Sequence, residues 1–436
     1  LDRGIAQLDN LDDQPAVQAR RLDTMAEVYI NLALYEEARD LLDRAIGIKR
    51  ELEPVESAEL ADSVHDLGGV EWRLGDIEAA HESWTEALRI RRRIFGPVHR
   101  DIAQSVNALA VYQWQVENFS EAGDLFQQSL DIYREAGGEE DEFVADRLGN
   151  LALIRLELGD YEAARRLFEE GLAIKRRILE PNHPNIAWSL NNLGQVLRKA
   201  GDYEAAERVL EECVDIEMEV LGPENPRLAY ILTALGTLRY ELGQYEASEE
   251  LHRQALAVRE GALGTDHFEV AYSLNHLGMI LNATGRFKEA RSVLDRALRI
   301  LEENFVPDHS EVGYVLTNLG ISLVHLGDLQ AAGPLLERAL AIHEENLGSE
   351  HIELAWALEG LATLHEATED FDRAVPLRER SLSIRQTQLG DDHPFVGQSS
   401  THLGILLTKM GNFERADELL TRALDIEEAK LGTDHP

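Results

Sequence analysis

The sequence predicts an all-α solenoid of ten 42-residue helix-turn-helix repeats. Three observations carry this reading: an unbroken period, small residues at fixed places in every period, and helix punctuation between them. The period is clearest at the turn residue Gly159. Steps of 42 from it fall on Ala33, Gly75, Glu117, Gly201, Gly243, Gly285, Gly327, Glu369 and Gly411. Ten such repeats span 420 of the 436 residues without insertion, which leaves no room for a linker. The length alone would suggest several domains. The period replaces them with one array over 16–436, preceded at 1–15 by the end of an earlier unit. The last residues, Leu431 to Pro436, repeat an internal motif and read as a truncation before an eleventh repeat.

Small residues recur seven before the turn (Ala26, Gly68, through Gly194 and Gly278 to Gly404), five after it (Ala38 to Ala416, with Ser248) and twelve after it (Ala45 to Ala423, with Cys213). Three such places per repeat let helix backbones approach closely, while neighbours such as Leu193 and Ile216 fill the grooves. Ile or Val stands fifteen after the turn in all ten repeats, from Ile48 to Ile426. Apolar spacing of three and four makes two amphipathic helices per repeat. Asp or Asn follows the turn in seven repeats, among them Asp160, Asp202 and Asp328, as an N-cap does. Gly closes the second helix at Gly96, Gly138, Gly222, Gly264, Gly348, Gly390 and Gly432. Pro opens the next helix at Pro184, Pro226 and Pro394, where its missing N–H costs nothing. No stretch reads as strand.

Composition narrows the function. Lys plus Arg is 42 and Asp plus Glu is 81, a net charge of −39. So anionic a surface argues against nucleic acid and against electrostatic docking on anionic lipid. No apolar run approaches the roughly 20 residues of a spanning helix. The single cysteine, Cys213, excludes an intrachain disulfide and a cysteine zinc cluster.

Leu-Gly before the turn, Gly-Asp-Tyr at it, Ala five later and Ala-Leu twelve later resemble the tetratricopeptide repeat. The 42-residue length, the Asp-His-Pro segments and Leu190-Asn191-Asn192-Leu193-Gly194 resemble its kinesin-light-chain type. The resemblance covers nearly the whole chain. It implies a right-handed superhelix whose first helices line a concave groove, and a role in binding rather than catalysis. A narrower resemblance covers about 38 residues. Leu1-Asp2-Arg3-Gly4, Gln14-Pro15, Gln18-Ala19-Arg20, Leu22-Asp23-Thr24, Val28-Tyr29 and Leu34-Tyr35-Glu36-Glu37-Ala38 resemble the start of the repeat region in bacterial receptor-like serine/threonine kinases. It implies a kinase domain and a membrane segment upstream, neither of which lies in these residues. The compartment stays open: a soluble domain, cytoplasmic or extracytoplasmic if such segments precede it.

Several motifs have plainer readings. His99, His183, His267, His309, His351, His393 and His435 share one repeat position at the inter-repeat turns. Metal ligands must converge on a point, whereas these are strung along the array, so they read as turn and helix-start packing. No metal site and no cofactor is predicted, and no zinc, calcium or phosphate-loop motif occurs. Cys213 fills a small-residue slot and reads as an inert buried thiol. Glu169-Glu170, Glu211-Glu212 and the run Glu139-Glu140-Asp141-Glu142 read as solvated surface.

One departure from the repeat pattern points to function. Thirteen residues before the turn, five successive repeats carry Trp188, Tyr230, Tyr272, Tyr314 and Trp356, where earlier repeats carry Arg20, Asp62, Gln104 and Asp146. Steps of three and four place Asn191, Gln195 and Arg198 on the same face as Trp188, and Asn275, Met279 and Asn282 with Tyr272. Rings interleaved with amides suit a peptide-reading surface. They equally suit wedges between neighbouring first helices. The first reading predicts capture of a neutral or basic protein segment by repeats five to nine, an acidic ligand being disfavoured because basic side chains are sparse there. The array would then be the sensor or docking region of a larger bacterial signalling protein, such as a kinase. The alternatives are a self-assembling scaffold stacked through open ends, or the regulatory array of another effector enzyme. No catalytic residue is predicted.

Overall fold

The computed structural model describes residues 14–52, 57–116, 118–137 and 141–431. Among them are twenty α-helices and no strand. The first four hairpins pair α1 (Pro15–Asn31) with α2 (Tyr35–Leu52), α3 (Ala58–Leu74) with α4 (Ile77–Phe95), α5 (Arg100–Gln115) with α6 (Phe119–Gly137), and α7 (Glu142–Glu157) with α8 (Tyr161–Ile178). The next three pair α9 (Pro184–Lys199) with α10 (Tyr203–Leu221), α11 (Pro226–Glu241) with α12 (Tyr245–Leu263), and α13 (Phe268–Ala283) with α14 (Phe287–Asn304). The last three pair α15 (Ser310–His325) with α16 (Leu329–Leu347), α17 (Leu354–Ala367) with α18 (Phe371–Leu389), and α19 (Pro394–Lys409) with α20 (Phe413–Leu431). Each second helix also packs on the first helix of the next repeat within two compact units, residues 1–178 and 179–436. Of the expected leading segment (1–15) and of the kinase-like junction, which runs to Ala38, residues 1–13 lie outside the described residues, as do Glu117, Gly138, Glu139, Glu140, Gly432 and His435.

The turn between paired helices is left-handed. Gly159 has φ 73° and Gly201 has φ 74°, a region that only glycine enters without Cβ strain. Ala33 (φ 57°) and Glu369 (φ 59°) take the same conformation at the same repeat position. The shared histidines cap helices: Nδ1 of His99, His183, His267, His309 and His393 each accepts the backbone N–H two residues on. His351 accepts from Glu353 in the same way. They satisfy orphan donors at helix starts, which is the turn-packing role expected of them.

The small positions make the close approaches predicted for them. A Cβ on Gly194 would stand 2.6 Å from Leu210, one on Gly278 2.5 Å from Leu294, and one on Gly320 2.5 Å from Leu336. In these three repeats the second helix drives a Leu knob against the bare backbone of its partner. Cys213 is fully buried, donates to the Ala187 carbonyl at 3.1 Å, and burial pushes its thiol up to about 12. It is a packed, unreactive thiol. Unit 1 has its own apolar clusters, around Leu22, Leu42 and Val64 and around Phe126, Leu148 and Ile154. Unit 2 is centred on Leu274, Leu294, Leu316 and Leu336.

Candidate protein-binding groove

Within unit 2, α13, α15 and α17 press directly on one another, α9 and α11 touch the next first helix more lightly, and the second helices make no comparable contact. Unit 2 therefore curves toward its first helices, which bear the five rings. Their surroundings differ along the array. Trp188 is 56% exposed and Tyr230 51%. Tyr272, Tyr314 and Trp356 are half-buried.

The difference follows from the residue sixteen after each turn, a position absent from the sequence-based site. In three of the four unit-1 repeats it holds a cation, the third carrying Tyr133: Lys49 bonds Asp23 at 2.7 Å, Arg91 bonds Asp62 at 2.8 Å, and Lys175 pairs with Asp146 at 2.9 Å. In two repeats of unit 2 the cation lies against an aromatic face. Arg259 lies 5.0 Å from the Tyr230 ring centre, and Arg385 lies 4.5 Å from that of Trp356 and 5.5 Å from that of Phe395. A ring face attracts a cation, and Arg259 also lies 3.5 Å from Glu269. Both guanidiniums also reach the next repeat, Arg259 through Ser273 and Arg385 through Ser399. Tyr314 rests on His343, with ring centres 4.7 Å apart. Trp188 has no such partner, because Glu217 stands at this position and pairs with Arg227 at 2.8 Å. The rings of repeats six, eight and nine thus serve packing, while Trp188 and the outer part of Tyr230 stay open to a ligand.

The amides and Arg198 divide similarly. Asn282 is spent between helices, donating to the Asn318 carbonyl at 2.9 Å and accepting from Ser322 at 2.6 Å. Asn275 accepts from Asn318 at 3.0 Å through its Oδ1, which leaves its amide N–H groups for a ligand. Arg198 pairs with Glu241 and donates to Gln195 at 3.3 Å. The Oδ1 of Asn191 is buried without a hydrogen-bond partner, a costly state that a ligand donor would relieve. Burial raises the Tyr272 hydroxyl to about 12, so it stays a neutral donor.

A second polar cluster lies between repeats nine and ten. Buried Arg378 pairs with Glu359 and with Glu366 (2.8 Å), and His402 bonds Glu359 at 2.8 Å. Its members sit where other repeats carry Leu and Asn, so the sequence signal was substitution at core positions. Among the described residues no group of three or more His, Cys, Asp or Glu is placed to hold a metal. None of the described helices is long and apolar enough to cross a membrane.

Stacked helical hairpins with fixed small positions and ring-bearing first helices define a repeat scaffold. The chain belongs to the tetratricopeptide repeat family, whose model matches residues 59–135, 143–219, 198–261, 227–303, 311–386 and 365–429. Arrays of this family bind protein or peptide partners and are in general not catalytic. No curated protein matches the chain. Solved structures similar to it include a Podosopora anserina protein assigned as a kinesin light chain, with nearly identical TPR-like repeats (25% identity, 45% of this chain and 93% of that one, TM-score 0.41). Another is BtubC (BKLC) from P. vanneervenii (24%, 55% and 93%, TM-score 0.38). A Rap protein complexed with competence and sporulation factor aligns over 86% of this chain and 98% of that one, at 16% identity and TM-score 0.55, a likeness of fold.

Proposed function

We propose that the chain is a non-catalytic scaffold that captures an extended or helical segment of a neutral or basic protein in the groove of repeats five to nine. The observation that supports this most is the pair of exposed rings on adjacent first helices, Trp188 and Tyr230. Large rings facing water bury much area on binding at little entropy cost. Asn191, Asn275 and Tyr272 would read the partner's backbone. The net charge of −39 favours basic partners and an association rate that falls with salt. The wider setting, a sensor or docking region of a bacterial receptor-like serine/threonine kinase or of another signalling protein, rests on the resemblance of the first 38 residues. Selection from a displayed peptide library tests the reading. Enrichment of neutral or basic sequences whose binding is lost in Trp188→Ala/Tyr230→Ala is expected, and selected binders indifferent to that change would remove the groove from the account.

A further inference from the structure

We propose that unit 2 is latched shut by contact between its first and last hairpins, so that the groove admits a partner only when the latch opens. The regulatory part of this inference rests on the groove reading above. The latch itself does not.

The contact joins the α9–α10 turn to the start of α19. A Cβ on Gly201 would meet Pro394 Cδ at 3.6 Å and His393 Cδ2 at 4.0 Å, ordinary van der Waals distances between segments at opposite ends of the unit. The buried His393 ring, held by the Phe395 N–H donating to its Nδ1 at 3.1 Å, feels the backbone of Lys199. With Nδ1 accepting, the neutral ring carries its proton on Nε2.

Burial singles out the same residues. Gly201 is buried, whereas the turn glycines Gly285, Gly327 and Gly411 are exposed. Tyr203 is 3% exposed, while Tyr245 at the same repeat position is half-buried. His393 and Pro394 are buried, while their counterparts His351 and Pro226 are exposed and half-buried. Charges from the two sides of the curve also sense one another: Arg198 and Lys199 act on Glu353, and Tyr240 on Arg385. On the first helix of the unit, the Oδ1 of Asn191 is buried without a partner. One small contact patch makes a weak closure, of the size that differential binding can overturn.

The test places nitroxide labels at Glu204 and Asp392, both exposed, in the full chain carrying Cys213→Ala. The native latch should give one short, narrow distance. His393→Ala/Pro394→Ala should lengthen and broaden it. His309→Ala removes the same helix-capping role away from the latch and should change nothing. An unchanged distance in the double variant, or equal broadening in His309→Ala, overturns the latch. Capture from a displayed library of 15-residue peptides then tests the gate. At least a tenfold gain is expected in the latch variant. Equal capture by open and native forms overturns gating. The groove reading fails separately, if Trp188→Ala leaves capture unchanged in both.

Discussion

The guanidinium of Arg385 lies 4.5 Å from the ring centre of Trp356, and only 1% of the arginine is exposed. Trp188, at the same repeat position four repeats earlier, is 56% exposed and has no cation beside it. Trp356→Ala leaves a buried cation short of its partner and opens a cavity, at a cost of about 3 kcal/mol. Hydrogen exchange should therefore accelerate in α17–α19. Trp188→Ala should change stability by less than about 0.5 kcal/mol, as surface substitutions do.

His252 is fully buried, and neither ring nitrogen has a hydrogen-bond partner. Burial first, then the stacked His276 and nearby Arg259, hold its pKa well below 6.5. Protonation is thus favoured in the unfolded chain, and stability is lost as pH falls below about 6.5. Leu210, Leu294, Leu336 and Leu420 hold this place in four other repeats, against the same kind of glycine. His252→Leu should stabilise unit 2 by about 1–2 kcal/mol at pH 7 and by more at pH 5.5, read from denaturant melts at both.

Glu369 holds φ 59° where seven repeats have a left-handed glycine. Glu369→Gly should stabilise by about 1 kcal/mol, the usual penalty for an L-residue there. Ala33→Gly should act likewise in unit 1. A fall in melting temperature for both would show that these turns are not strained.

Neighbouring glycines in α3 should respond with opposite signs. A Cβ on Gly68 would stand 2.6 Å from the Trp84 ring, whereas one on Gly69 meets nothing within 4 Å. Gly68→Ala should cost about 1–3 kcal/mol by overpacking, and Gly69→Ala should gain about 0.5–1 kcal/mol from helix propensity. Thermal melts of the two variants decide it.

What the sequence made legible was what repeats. Gly194 and Gly278 signal close approach because they recur on the period, and His183 and His309 signal caps because they sit together before helix starts. The partner of each ring was harder to see. Arg385 reaches Trp356 across 29 positions, and a cation among apolar residues resembles a surface charge until the hairpin closes. The division between exposed Trp188 and packed Trp356 therefore could not be read from the rings alone, since it depends on whether Glu217 or Arg385 stands opposite. The meeting of Gly201 with Pro394 depends on the accumulated curvature of six repeats, which no local pattern encodes.

The most direct test of the central claim is the dissociation constant of a library-selected basic peptide for the native chain and for Trp188→Ala/Tyr230→Ala. Two exposed aromatic anchors predict at least a tenfold weakening in a double variant that keeps its helical content. An unchanged constant in a folded double variant would contradict recognition through the first helices of unit 2.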